Sequence, residues 1–421
     1  MQEIHEAIKL MENNQTEAAI DALEQFLPQA DEEEKFTIAE LYMQWGMLEE
    51  AKKIIANLIQ HYPNESELKM MLVDIHIDLE EDEEAIDILN QVNREDEDYL
   101  QALIQLADLY QAQGLFEVAE QKLLEAKNID PGEPLLDFAL GELAFSLGEY
   151  VKAIPYFEKI VEINQVVAEV DVNLRLAEAF AATGEFEQSL EYYQTIETDD
   201  PESLFRYGFV AYRADRLDIA IKAWEKLVEF DPNYLSVYYY LAQAYETEGL
   251  MQEAYDMANK GLQQDEFNKE LFYLAGQLAH KLGDLTASVQ HIKEAVAIDP
   301  GYQEAVLFLV NIYKQQEDPE AIIDLLSEVL QSGEEDPAYK WELAQAYVEI
   351  ESFDNALNLY MDAYNNLKDD TDFLKEYGYF LIEEGRNKEA IEVFTHYLSI
   401  EPADFEMEEF LFRLKQKEET M

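Results

Sequence analysis

The sequence predicts an all-α protein, a superhelical solenoid of about twelve helix pairs closed by a C-terminal capping helix. Three observations carry that prediction. A small residue recurs along almost the whole chain at a nearly fixed interval. Around each recurrence, apolar residues fall at i, i+3, i+4 and i+7, the spacing of a helix with one buried face. Glycine and proline mark the places where such helices must stop.

The small residue stands at Ala19, Ala51, Ala85, Ala119, Ala153, Ser189, Ala220, Ala254, Ser288, Ala321, Ala356 and Ala390. Six of the eleven intervals are 34 residues, so a single structural unit is being repeated. The second half of the unit is clearest in "LEEAKKIIANLIQHYP" (Ala51, Ile55, Leu58, Pro63) and "RLDIAIKAWEKLVEFDP" (Ala220, Trp224, Leu227, Pro232). It recurs in "LFEVAEQKLLEAKNIDP" (Ala119, Pro131) and "RNKEAIEVFTHYLSIEP" (Ala390, Pro402). The first half reads "LADLYQAQG", "LAEAFAATG", "LAQAYETEG" and "LAQAYVEIE". Gly114, Gly148, Gly184, Gly249, Gly283 and Gly385 separate the halves, where a positive φ ends the first helix. The small residue lets the two helices approach closely, and proline keeps the second from running into the next unit. One pair cannot bury both its faces, so the units must stack.

Some units depart from the pattern. His76 takes an aromatic position in the third, and the tenth reads one residue short between its helices. Intervals of 36 and 31 flank Ser189. They predict a lengthened turn near "NQVVAEVD", a tight one at "TDDPES", and a bend near residues 165–205. The solenoid is expected over 1–402. Residues 403–421 read as an amphipathic capping helix with Phe405, Phe410, Leu411 and Leu414 on one face.

The period and these motifs resemble the tetratricopeptide-repeat family over residues 1–402. The acidic character resembles YpiA-type tetratricopeptide proteins of Gram-positive bacteria. The resemblance implies a right-handed superhelix, a concave groove lined by the first helices, and a non-catalytic scaffold or adaptor that holds a partner protein. Well-known members clamp acidic C-terminal tails with Lys, Arg and Asn. Here only Asn311, Lys314 and Lys375 look like fragments of that clamp, and they lie in different repeats.

Transferring the groove register places Phe138, Glu142, Phe145, Glu178, Phe205, Phe209, Tyr212, Tyr239, Glu246, Tyr273, Trp341 and Tyr379 on the partner-binding surface. A large apolar residue is followed, four positions on, by an acid or amide in most units. Exposed aromatic stripes mark partner sites. The run "YLSVYYYLAQAY" then divides its tyrosines. Tyr238 and Tyr245 pack inside the repeat, Tyr239 faces the groove, and Tyr240 packs on a neighbouring repeat.

Composition bounds the partner. Against 29 Lys+Arg stand 92 Asp+Glu, a formal net charge of −63, which opposes nucleic-acid and anionic-membrane binding. The expected partner is a protein or peptide that is basic or neutral with apolar anchors. The same charge leaves a rival reading, a nucleic-acid mimic occupying the basic site of a DNA- or RNA-binding protein. With no cysteine there are no disulfides or thiolate chemistry. The N-terminal stretch does not read as a secretion signal and no apolar run reaches spanning length, so a cytoplasmic location is expected. No phosphate loop, nucleophile elbow or paired-histidine motif is present, and neither enzymatic activity, a cofactor nor a metal is expected. His280 and His291 are the nearest histidine pair and fall on two helices of one repeat.

Overall fold

The computed structural model describes residues 1–163, 166–167 and 170–420. It forms two compact units, Met1–Glu197 and Thr198–Met421. The first contains α1 Gln2–Glu12, α2 Thr16–Phe26, α3 Glu32–Gln44, α4 Leu48–His61, α5 Ser66–Asp78 and α6 Asp82–Leu89. It continues with α7 Tyr99–Ala112, α8 Phe116–Ile129, α9 Pro134–Ser146, α10 Tyr150–Val161, α11 Val172–Thr183 and α12 Phe186–Tyr193. The second contains α13 Pro201–Arg213, α14 Leu217–Phe230, α15 Ser236–Thr247, α16 Met251–Leu262, α17 Lys269–Leu282, α18 Leu285–Ile298 and α19 Gln303–Gln315. It closes with α20 Pro319–Gln331, α21 Pro337–Glu349, α22 Phe353–Leu367, α23 Thr371–Glu383, α24 Asn387–Ile400 and α25 Phe405–Thr420. Odd and even helices pair through the chain, and a two-residue antiparallel pair, Val166–Val167 with Val170–Asp171, precedes α11.

Every turn inside a pair has the same backbone signature. A residue with positive φ stands five positions before the small anchor of the second helix. Gly46, Gly114, Gly148, Gly184, Gly249, Gly283 and Gly385 fill seven of these places at no steric cost. Asn14, Glu80, Asp215, Glu317 and Glu351 hold the other five at φ of 54–60°. This signature corrects the tenth repeat. Five residues after Glu317 comes Ile322, which is 1% exposed, whereas Ala321 is only partly buried. The anchor there is Ile322, the intervals on either side become 34, and the turn is not short. Size selected the wrong neighbour, because this repeat accepts a branched side chain at the crossing.

The remaining anchors are fully buried, among them Ala51, Ala119, Ser189, Ala220, Ala254 and Ala390. Opposite most of them the first helix carries a second small position, seven residues before the turn; Val73 and Val310 fill it in the third and tenth repeats. It is alanine at Ala39, Ala107, Ala242 and Ala344, and glycine at Gly141, Gly208, Gly276 and Gly378. Glycine appears where a bulky side chain arrives from the second helix: Phe157 against Gly141, Trp224 against Gly208, Ile292 against Gly276 and Phe394 against Gly378. A Cβ on Gly141 would lie 2.6 Å from a Phe157 ring carbon, closer than two carbons can pack.

Pro63, Pro131, Pro232, Pro300 and Pro402 each stand two residues beyond the end of a second helix. The interval of 31 has a different origin from the tight turn expected at "TDDPES". Helix α12 is only 8 residues long against 14 for α14, and seven residues then lead to α13. The lengthened turn at "NQVVAEVD" lies partly outside the described residues. In α25 the buried face is Met407, Leu411 and Leu414, with Phe410 partly covered. Phe405, expected on that face, is 75% exposed, because the i, i+4, i+7 stripe starts at Met407.

Candidate functional site

All twelve predicted site residues lie on first helices, divided between the units. Phe138, Glu142 and Phe145 are on α9 and Glu178 is on α11. Phe205, Phe209 and Tyr212 are on α13, Tyr239 and Glu246 on α15, Tyr273 on α17, Trp341 on α21 and Tyr379 on α23. None is fully buried. Eleven are half-buried, and Tyr379 is 45% exposed.

In the first unit, Arg175 organises the surface. Its Nε donates to Glu142 at 2.8 Å and its Nη1 to Glu178 at 3.2 Å. Its guanidinium lies 5.1 Å from the centroid of Phe145. Arginine suits this role because its planar fork reaches two carboxylates and stacks on a ring at once. The cation between the two acids offsets their mutual repulsion. Phe138 and Phe145 rest on Phe157 at 6.4 and 6.2 Å.

In the second unit, Tyr240 is the hub. Its ring meets Phe205 at 5.5 Å, Phe209 at 5.6 Å, Trp224 at 5.9 Å and Tyr239 at 5.6 Å. The expectation that Tyr240 packs on a neighbouring repeat therefore holds, since Phe205, Phe209 and Trp224 belong to the preceding pair. Tyr238 and Tyr245 are buried inside the repeat. Trp224 donates from Nε1 to the carbonyl of Phe205 at 3.1 Å, and Tyr212 packs on its ring at 5.9 Å. Tyr239 stays half-exposed, accepts a hydrogen bond from Gln243 Nε2 at 2.9 Å, and has its phenol pushed up by burial.

Further along, Tyr273 meets Tyr302 and Phe308 at 5.2 and 5.9 Å. Glu246 is bound by Lys281 of the next first helix at 2.7 Å. Trp341 Nε1, the Gln345 amide and the Tyr360 hydroxyl all donate to Glu376, at 2.9, 2.9 and 2.6 Å. Tyr379 packs on Phe394 and Phe410. Of the clamp fragments, Lys314 is engaged by Glu342 and donates to Gln345 at 2.7 Å. Lys375 is engaged by Asp404 at 2.8 Å and lies 4.9 Å from the centroid of Tyr397. Asn311 is exposed.

Sequence reasoning missed Arg175, Tyr240 as the centre of a cluster, Lys281 and Glu376. Lys281 and Glu376 could have been found by aligning each first helix on its neighbour, since both contact the adjacent repeat. Arg175 sits three residues before Glu178 on the same helix, and only the fold shows it reaching Glu142 of the preceding repeat as well.

The histidines are dispersed. His76 is buried, with Nδ1 2.6 Å from Glu81. His291 faces the Tyr255 hydroxyl at 3.2 Å, and burial lowers its pKa. His280 stacks edge-on against Phe308 at 5.5 Å. Among the described residues no group of three or more His, Asp or Glu side chains is placed to hold a metal, and no helix is long and apolar enough to cross a membrane.

Stacked helix pairs of this fixed register define a tetratricopeptide-repeat protein, an all-α fold. The chain belongs to the YpiA-like family within that class. It is 42% identical over 416 residues to the TPR repeat-containing protein YpiA of Bacillus subtilis (strain 168), covering 98% of each chain. Family models for YpiA-like tetratricopeptide repeats match residues 111–165, and for YpiA-like C-terminal tetratricopeptide repeats 337–404. General tetratricopeptide-repeat models match 171–203, 208–269 and 270–302. Among solved structures, the C-terminal part of a TPR repeat-containing protein from Cytophaga hutchinsonii is 17% identical with a TM-score of 0.46, covering 56% of this chain and 96% of that one. YrrB, described as a TPR protein with an unusual peptide-binding site, is 15% identical with a TM-score of 0.38, covering 44% and 95%. Tetratricopeptide-repeat proteins generally mediate protein–protein interaction and are generally non-enzymatic.

Proposed function

We propose that this chain is a non-catalytic scaffold or adaptor whose first-helix faces hold a segment of a partner protein, with the second unit supplying the main anchors. The observation that carries the reading is the half-exposed aromatic surface formed by Phe205, Phe209, Tyr212, Tyr239 and Tyr273 on three successive first helices. Pre-positioned rings of this kind give large contact area at low entropic cost, and binding energy concentrates in a few such anchors.

The electrostatics refine the partner. The expected acids Glu142, Glu178 and Glu246 each have a basic neighbour in this chain, so they shape the surface more than they attract a distant charge. The overall field of a chain with a net charge of −63 still favours a basic or neutral partner and speeds its approach.

The test is affinity capture from native lysate at two salt concentrations, comparing wild type with the Phe209→Ala, Tyr239→Ala double variant and with Gln277→Arg. Truncating an anchor costs about 2 kcal/mol or more, so the double variant loses the partner. Gln277→Arg, which removes no packing ring, separates loss of binding from loss of fold. Retention of every captured protein by both variants sinks the proposal.

A further inference from the structure

Helix α25 lies one repeat period beyond α23, and the N-terminal caps fix its register. Asp370 accepts from the Phe373 N–H at 2.9 Å, and Asp404, 34 residues on, accepts from the Met407 N–H at 3.1 Å. On α23, Phe373, Tyr377 and Phe380 pack on Tyr360 of the preceding repeat. Their equivalents on α25 are Met407, Leu411 and Leu414, and these are buried. A second face of α23, made of Leu374, Gly378 and Leu381, is buried too, with Phe394 of α24 against Gly378. Its equivalents on α25 are Glu408, Phe412 and Lys415. All three are exposed, Phe412 at 61%. The face that every other first helix turns toward a second helix is thus uncovered on α25 among the described residues.

We infer that a second copy of this chain covers that face, the two α25 helices pairing antiparallel about a two-fold axis. Charge complementarity selects the occupant. Glu406, Glu408 and Glu409 open the helix, and Arg413, Lys415 and Lys417 follow Phe412. No other five-residue stretch of this acidic sequence holds three Lys or Arg. An antiparallel pair centred between Leu411 and Phe412 sets Glu408 of each copy opposite Lys415 of the other. It also brings the two Phe412 rings together across the axis. A parallel pair would set like charges against each other. Neither Glu408 nor Lys415 has an ion pair among the described residues, whereas Glu409 is taken by Arg413 at 3.2 Å. A helix packed as α24 packs on α23 does not fit. The inner repeats hold Gly, Ala or Val at the position of Phe412, and the ring keeps a second helix from approaching that closely. A helix of 16 residues is about 24 Å long and covers less than the roughly 1,200 Å² of a stable complex. Two chains of net charge −63 also repel one another. The pairing is therefore weak and promoted by salt, with a dissociation constant on the order of 10 µM at about 0.3 M NaCl. It stands independently of the groove reading.

Sedimentation velocity of the full chain, at about 1–100 µM and in about 0.05 and 0.3 M NaCl, reads the pairing. The wild type is expected to pass from monomer to dimer over that range, at lower concentration in the higher salt. Phe412→Gln, at an exposed helical site, should weaken the dimer about ten-fold or more with circular dichroism unchanged. Phe267→Gln, in the turn before α17 and 73% exposed, should leave the dimer as it is. Glu408→Lys and Lys415→Glu should each weaken it about three-fold. The two together should restore it, because the pairs re-form with their signs exchanged. Glu408→Lys is the sharper of the two. It lowers the net charge, so it would strengthen an association governed by overall repulsion alone. A wild type that stays monomeric throughout overturns the inference. So does a dimer that Phe412→Gln leaves intact or that Phe267→Gln weakens equally. A double charge exchange that pairs no better than either single change overturns it as well.

Discussion

Glu317 and Glu351 show how a single dihedral sets the register of this chain. Each sits at a turn that seven other repeats build with glycine, at φ of 54° and 59°. A residue with a Cβ pays about 1–2 kcal/mol for the left-handed conformation, and replacing it with glycine returns part of that to chain entropy in the unfolded state. Glu317→Gly and Glu351→Gly should each stabilise by about 0.5 kcal/mol, and Gly114→Ala should destabilise by about 1 kcal/mol. Urea unfolding midpoints measure both. Equal and opposite results would mean the turn is not the determinant of register. The residue scale is also where legibility ended. Ala220 and Ala254 announced their positions because small residues are conspicuous. Ile322 did not, with a decoy alanine beside it, and the turn that identifies it carries a glutamate, a residue without turn character. Arg175 was invisible for another reason: its partners are one repeat back and one helical turn forward, a coincidence only folding creates.

Helix pairs are held by complementary volumes, which makes a further substitution informative. Alanine is favoured over glycine by about 1 kcal/mol inside a helix. Gly208→Ala should nonetheless destabilise by about 1–3 kcal/mol, because the new methyl meets the indole of Trp224. Trp224→Phe should recover part of the loss, a coupling that a thermodynamic cycle measures. Additive effects would show that the two sites do not share a crossing. At the C-terminal end, Asp404 ties α25 to α23 and α24. Lys375, then the Met407 N–H and the Tyr397 hydroxyl, hold its carboxylate down to about 2. A depressed carboxylate stabilises above its unfolded value and loses that contribution as pH falls through the folded one, here from about 4 to about 2. Asp404→Asn should therefore raise amide exchange in α25 at neutral pH and remove its acid dependence in that window. Unchanged exchange would show that Met407, Leu411 and Leu414 hold the helix alone. The existence of a capping helix was readable from apolar spacing. Its rotation was not, since Phe405 and Met407 compete for the same stripe and only packing against Tyr397 and Phe394 decides.

Across the whole chain, self-repulsion among the carboxylates is the largest electrostatic effect. With a formal net charge of −63, added NaCl at pH 7 should raise the melting temperature by screening, over a Debye length of about 10 Å at 0.1 M. Asp74 adds to this. Burial raises its carboxyl, against the hydrogen bond from Gln105, so its contribution is present at low pH and lost as pH rises through the folded value. Mild acidification should stabilise first, and aggregation should follow near the isoelectric point of about 4.1. A melting temperature that falls steadily with salt contradicts this. The repeat architecture was legible at this scale because a period survives the loss of any one unit. The most direct test of the central claim is site-specific photo-crosslinking in the cells the protein comes from, with a benzophenone residue at Gln277 on a first helix or at Lys222 on an exposed second-helix face. A discrete crosslinked partner from Gln277 and none from Lys222 is the predicted result. A partner trapped at Lys222 alone, or the same partner at both sites, would contradict it.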